Sequence, residues 1–394
     1  MKKLSVCLLL PLSFIWACSS SRKIAVQLPD QSLQAALDTI RQQFAPDKKT
    51  ALFDVSVHQG ILVGETNLPD AKDALIRLLY NDHLQYTDSI HLLPDSSLHE
   101  NSMAVVSLSV ANLRAKAGHV NEMVTQATMG MPLNILKRER GWYLVQTPDN
   151  YIAWTEGGGI KPMNKPQMEA WRQVEKVIYT KPFGFAYSTS STNSQTVSDL
   201  VYGDVAEFQR EQDGFYQIRF PDGRISFVPS GEMMLYRDWV ASRNPARDNL
   251  VNSSMLLMGV PYLWGGTSFK GVDCSGFTRT IYFMNGLLLP RDASQQVNIG
   301  TEVDTKNGWS NLQPGDLLFF GTPARDGKPE HISHVGMWLG GPNNEFIQSA
   351  SRVQISSFNP GASNYDGGSQ RRFIRAKRIK PTDALFDLRY ASFY

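Results

Sequence analysis

Cysteine is scarce in this chain of 394 residues: Cys7, Cys18 and Cys274 are all it has. Two of them fall within the first eighteen positions, so a disulfide framework is excluded. Long hydrophobic runs are also missing. Beyond the N-terminus no stretch approaches the ~18 apolar residues a spanning helix needs. Nor does one sign of charge dominate, since 39 Lys and Arg against 37 Asp and Glu leave a net +2. Such a balance does not advertise a nucleic-acid partner. At 42% hydrophobic and 19% charged residues, the composition excludes wholesale disorder. The length suggests roughly two to four domains.

The N-terminus reads as processing signal. Lys2 and Lys3 precede an apolar stretch over residues 4–14, and Ile15-Trp16-Ala17 leads to Cys18. This resembles a bacterial lipoprotein lipobox, which implies a signal peptide over 1–17 and lipid on Cys18. A plain cleaved signal and a short anchor are the rivals. The expected location is the cell envelope, lipid-anchored, periplasmic or outer-membrane; Ser19-Ser20 carries no acidic residue, which leans towards an outer membrane. Loss of Lys2 and Lys3 takes the formal charge to zero. Cys274 is then a lone thiol where disulfides form. It is either a buried small hydrophobe or a reactive group.

A small N-terminal α+β module is expected over 18–98. It has a strand at 23–28, a helix at 31–44 with Leu33, Ala36, Leu37 and Ile40 at helical spacing, strands at 50–57 and 60–65, and a helix at 71–80. His58, His83, His91 and His99 are scattered and form no constellation. Two internal repeats follow, at 101–163 and 172–236. Gly130, Gly141, Pro148 and Asp149 recur at a constant offset as Gly203, Gly214, Pro221 and Asp222, and Trp142-Tyr143 pairs with Phe215-Tyr216. Short alternating runs between Pro-Asp turns predict two small β-barrels, which resemble bacterial SH3-like domains. Their aromatics, including Trp154 and Phe227, are expected in the cores rather than stacked on glycan. The last domain, 240–394, opens with a helix at 249–258. It ends near a basic strand, residues 371–378, expected at a solvated sheet edge.

The chemistry centres on residues 261–277, Pro-Tyr-Leu-Trp-Gly-Gly-Thr-Ser-Phe-Lys-Gly-Val-Asp-Cys-Ser-Gly-Phe. Asp273 can cap a helix that begins at Cys274 and ends at Asn285-Gly286. A helix start favours a thiolate. A cysteine nucleophile also needs a base and a group that orients it. His331 and His334 are the histidines that follow. His334 is expected to open an alternating strand and serve as base, with His331 in the loop before it. On the next strand Gln348 can accept from the imidazole if the two strands pair antiparallel.

Pro-Tyr-Leu-Trp-Gly-Gly, Gly-Val-Asp-Cys-Ser-Gly-Phe, Leu-Gln-Pro-Gly-Asp-Leu-Leu-Phe-Phe and Ile-Ser-His-Val-Gly-Met together resemble the NlpC-type cell-wall cysteine peptidases. The resemblance implies a C-terminal papain-like α+β peptidase domain, and so a multidomain α+β chain. It also implies a catalytic order Cys274, His334, Gln348, with Gln348 departing from the usual histidine. Tyr262 would then stand beside the oxyanion. Paired SH3-like domains ahead of the peptidase resemble the γ-D-glutamyl-L-diamino acid endopeptidases. These act on murein peptides with a free N-terminal L-Ala. That likeness implies that Asp273, Ser275, Asp292, Glu122 and Tyr151 surround the L-Ala-γ-D-Glu part of the substrate. Structural roles compete with this for Asp273 and Asp292 as helix caps and for Glu122 as a solvated loop acid. No metal, cofactor or nucleic acid is expected, and a monomer is. The rival functions are a wall-binding lipoprotein with an inactive peptidase-like domain and a thiol-dependent amide or acyl transferase.

Overall fold

A computed structural model describes residues 29–390 and 394; the leader, Cys18 and the strand expected at 23–28 lie outside the described residues. Among the described residues no helix is long and apolar enough to cross a membrane.

The N-terminal segment folds as two helices on a three-stranded sheet. Helix Pro29–Phe44 lays Leu33, Leu37 and Ile40 against Leu75 and Leu79 of helix Pro69–Asn81, over Phe53, Val55 and Leu62 of the sheet. Pro69 sits at the start of its helix, where a missing N–H costs nothing. The sheet gains a strand that periodicity did not show, Thr87–Leu92, which runs parallel to Ile61–Thr66. Only Ile90 in it is buried, so its hydrophobic alternation is too weak to read. Leu52 and Leu93 of this unit pack on Leu136, Leu144, Ile152 and Trp154 of the next. Glu65 also pairs with Lys137 across that junction.

The two repeats form seven-stranded sheets with the same strand order. Numbered within each unit, both run 7-1-4-5-6-2-3. The fixed offset has a backbone cause. Arg140-Gly141 and Asp213-Gly214 all take positive φ in the hairpins that join the fourth and fifth strands, as a tight twisted turn requires. The paired aromatics depart from expectation. Trp142, Tyr143, Trp154, Phe215, Tyr216 and Phe227 are half-buried, while Val145 and Ile218 fill the cores.

The C-terminal region is a six-stranded sheet in the order Thr301–Val303, Phe373–Arg378, Leu317–Thr322, His331–Gly340, Glu345–Ser349, Val353–Ser357. Helix Cys274–Met284 packs Phe277 and Ile281 on Leu317, Phe319, Val335, Met337 and Ile347. It is buried on almost every side rather than along one face, because the first repeat covers its other flank. There Arg279 and Asp149 form a buried ion pair at 2.5 Å. The basic strand Phe373–Arg378 is not an edge but is paired on both sides. Its charges are matched instead of solvated, Arg375 by Glu330 and Glu302 and Arg378 by Asp316.

Candidate active site

Asp273 caps the cysteine helix, accepting from the backbone N–H of Gly276 at 2.7 Å and of Gly265 at 2.9 Å. Gly276 is required on steric grounds, since a Cβ there would lie 2.0 Å from the Gly266 carbonyl oxygen. Gly265 takes φ +78°, and a Cβ on it would meet the Met123 carbonyl of the first repeat at 2.5 Å. These glycines let three backbones converge where Cys274 emerges.

The sequence missed what holds Asp273. Arg291, 1% exposed, grips both of its oxygens, at 2.6 and 3.1 Å, and also donates to Ser275 Oγ and Thr125 Oγ1. Asp273 thus accepts from two backbone N–H groups, a guanidinium and the Ser275 hydroxyl. Its charge is balanced inside the protein. Arg291 lay in view within Pro290-Arg291-Asp292, but nothing in the sequence tied it to Asp273 eighteen positions back.

His334 projects from the strand His331–Gly340, its Nε2 2.6 Å from Gln348 Oε1. The strand begins three residues earlier than expected, so His331 is an exposed strand residue paired with Thr322 rather than a loop residue. The pairing expected of the two strands is present, with Met337 opposite Ile347. Continuing that register sets Gln348 opposite Gly336, where a Cβ would come within 3.4 Å of the Gln348 Cβ. The bare glycine leaves Gln348 room to reach diagonally to His334. Gln348 is buried, and its amide nitrogen donates to Ser356 Oγ at 2.9 Å and to Asp366 Oδ2 at 3.0 Å. With both N–H bonds spent there, the amide oxygen must face the imidazole, so His334 carries its proton on Nε2 and leaves Nδ1 as an acceptor. Asp366 stands eighteen residues beyond Gln348 with no motif around it.

The electrostatics differ from a ready-made ion pair. Burial first, then Asp273, push the Cys274 thiol up to about 11, against the Val335 and Ser275 N–H groups and Arg291. The helix start expected to favour thiolate is outweighed by burial first and by its anionic cap second. Burial holds His334 below the ordinary imidazole range, opposed by the Gln348 hydrogen bond. Tyr262 lines the same cleft, and burial together with Cys274 pushes its phenol up to about 12, so it stays a donor. Burial works against ionisation of Asp366, but bonds from Ser369 and Gln348 keep its carboxyl below the usual range.

The structure brings Cys274, Tyr262, Asp273, Ser275, Asp292, Glu122 and Tyr151 into the lining of one cleft of about 260 Å³. Its far wall comes from the first repeat. Glu122 accepts from Trp264 Nε1 at 2.7 Å, and burial, then Asp292, push the Tyr151 phenol up. Asp292 accepts from Lys49 Nζ at 2.7 Å, a residue of the N-terminal unit that no sequence signal placed here. Trp264 was visible in Tyr262-Leu263-Trp264, though not as a partner for Glu122.

Comparison with known proteins agrees with this geometry. Residues 259–376 match the NlpC/P60 family, and residues 109–161 match the bacterial SH3 domain. A gamma-D-glutamyl-L-lysine dipeptidyl-peptidase of Bacillus cereus is 31% identical over 261 residues, covering 64% of this chain and 76% of its own. The murein DD-endopeptidase MepS/murein LD-carboxypeptidase of Escherichia coli is 42% identical over 197 residues, 49% of this chain and 82% of its own. A solved NlpC/P60 family protein from Bacillus cereus superposes with a TM-score of 0.59 at 24% identity. It covers 71% of this chain and all of its own, and shows the shared fold. A buried thiol on a capped helix, beside a histidine strand and facing a bacterial SH3 domain, agrees with these likenesses, and the chain belongs to the NlpC/P60 family of cell-wall cysteine peptidases.

Proposed function

We propose that this enzyme hydrolyses the γ-D-Glu–diamino acid bond of murein peptides that carry a free N-terminal L-Ala. The observation that carries the reading is what lines the cleft. Glu122 and Tyr151 of the first repeat and Asp292 share a space of about 260 Å³ with Cys274, so two carboxylates stand in it beside the thiol. A short peptide ending in an ammonium group fits that chemistry, since a desolvated amine needs acids around it. A glycan-linked or N-acylated stem lacks that charge. Asp273 and Ser275 shape the floor of this subsite while Arg291 balances the charge of Asp273.

In the reaction, His334 Nδ1 takes the Cys274 thiol proton as sulfur attacks the γ-carbonyl carbon. The phenol of Tyr262 and backbone N–H at the helix start donate to the oxygen that becomes negative. Collapse breaks the C–N bond, and His334 returns the proton to the departing amine. Water, deprotonated by His334, then cleaves the thioester and releases L-Ala-γ-D-Glu and the free thiol. Gln348 keeps His334 in the productive tautomer, and Asp366 keeps Gln348 oriented.

We extend the reading to the rest of the chain. Residues 172–236 are a divergent second SH3-like copy, supported by the shared strand order. Lipid on Cys18 holds the enzyme in the envelope, peptidase domain 240–394 outermost in the chain order. The test is incubation of purified protein with L-Ala-γ-D-Glu-diamino acid tripeptides and their N-acetylated forms, with products identified by mass spectrometry. Release of L-Ala-γ-D-Glu from the free peptides alone is expected. Activity retained in Cys274→Ala, equal rates on acetylated peptide, or transfer products in place of hydrolysis would refute the reading.

A further inference from the structure

We propose that Lys49, delivered by the N-terminal unit, is a specificity residue that reads the free α-carboxylate of the γ-linked D-glutamyl residue. The inference rests on the cleavage assigned above and goes beyond it by making the N-terminal unit a third wall of the site. Lys49 is fixed through its main chain. Its carbonyl accepts from Ile152 N–H at 2.7 Å, next to Tyr151, and its own N–H donates to Asp47 Oδ1 at 2.9 Å. Asp47 Oδ2 in turn accepts from Gln295 Nε2 at 2.6 Å, and Gln146 Nε2 donates to the Thr50 carbonyl. The turn is thereby pinned both to the first repeat and to the peptidase domain. The side chain is left free to act: it is half-exposed, its ammonium lies on Asp292 and 6.0 Å from the centre of the Tyr151 ring, and it lines the Cys274 cleft.

Charge matching identifies what it meets. With Asp273 balanced by Arg291, the cleft presents Glu122 and Asp292 as its open acids and Lys49 as its lysine. The L-Ala-γ-D-Glu moiety carries one ammonium and, because the peptide continues from the γ-carbon, one free α-carboxylate. Two acids alone would repel that carboxylate. A lysine on a flexible stem beside them complements it, and moves from Asp292 to the substrate as the ammonium takes Asp292.

The test compares L-Ala-γ-D-Glu-L-Lys with its α-amide, the isoglutamine peptide, in the wild type, Lys49→Met and Lys49→Arg. A charge-assisted hydrogen bond predicts a wild-type preference in kcat/KM of roughly tenfold or more for the acid. In Lys49→Met that preference is expected to fall to about one, read as the ratio of the two peptides so that any change common to both cancels, and Lys49→Arg is expected to keep it. Melting temperature and thiol labelling of Cys274 verify that each variant is folded. An equal loss on both peptides marks a purely structural lysine and overturns the proposal. A gain on both marks a plug over Asp292 and overturns it as well, as does a wild type that cleaves both peptides equally. If the wild type cleaves neither peptide, the bond assignment itself fails. Cleavage without discrimination removes only the role of Lys49.

Discussion

Gln348→Ala separates an orienting amide from a catalytic group. The substitution deletes the acceptor 2.6 Å from His334 Nε2 and the two donors that hold it, leaving Asp366 its bonds to Ser369. A hydrogen bond to a neutral group contributes about 0.5–1.5 kcal/mol and one to a charged group about 1.5–3 kcal/mol. The imidazole is neutral before attack and cationic during it. The part of the bond felt only in the transition state is therefore about 1–1.5 kcal/mol, or roughly 5- to 15-fold in kcat. The same bond raises the pKa of His334 against burial. Its loss lowers that pKa, so the acid limb of the rate profile moves to lower pH while the plateau falls. Steady-state kinetics of dipeptide release, measured from acidic to mildly alkaline pH, read both effects. An unchanged kcat, a loss as complete as that of Cys274→Ala, or an acid limb that moves upward would refute the reasoning.

Three further outcomes are expected. Because burial and Asp273 raise the thiol, alkylation of Cys274 by iodoacetamide in the free enzyme accelerates only towards alkaline pH, and a thiolate persisting in acid would contradict this. Asp149→Asn leaves Arg279 buried without a counter-charge, at a cost of about 3–5 kcal/mol, read as a lower midpoint in denaturant. Burial opposes the ionisation of Asp149, but Arg279 depresses its carboxyl below the unfolded value. The stability it contributes is thus full above about pH 4 and is lost as pH falls through the folded value. Glu122→Gln, which keeps an acceptor for Trp264 Nε1, raises KM for free-amine tripeptide by roughly tenfold and narrows the gap to acetylated peptide; an unchanged gap would place the amine elsewhere.

Much of this protein is written locally. The cap at Asp273, the helix from Cys274, the strand around His334 and the turn glycines of both repeats depend on neighbours within a few residues. Capping, alternation and positive φ therefore made them legible. Even Gln348 beside His334 followed from one assumption, antiparallel pairing of adjacent strands, and its register completes that geometry. The strand Thr87–Leu92 escaped because one buried residue makes no pattern. The basic strand was misplaced because pairing on both sides is not a property of its own residues.

What only the tertiary structure decided are charges and burial. Asp273 meets Arg291, Glu122 meets Trp264, Gln348 meets Asp366 and Lys49 meets Asp292 across separations of 18, 142, 18 and 243 residues. The sequence alone determined that a capped thiol, a histidine-bearing strand and a duplicated β module exist, since each is a local pattern. The fold decided that the thiol is held protonated and that a lysine from the far end of the chain stands in the cleft. Desolvation and Coulomb energy depend on what is packed within a few ångströms, and chain order does not record that distance.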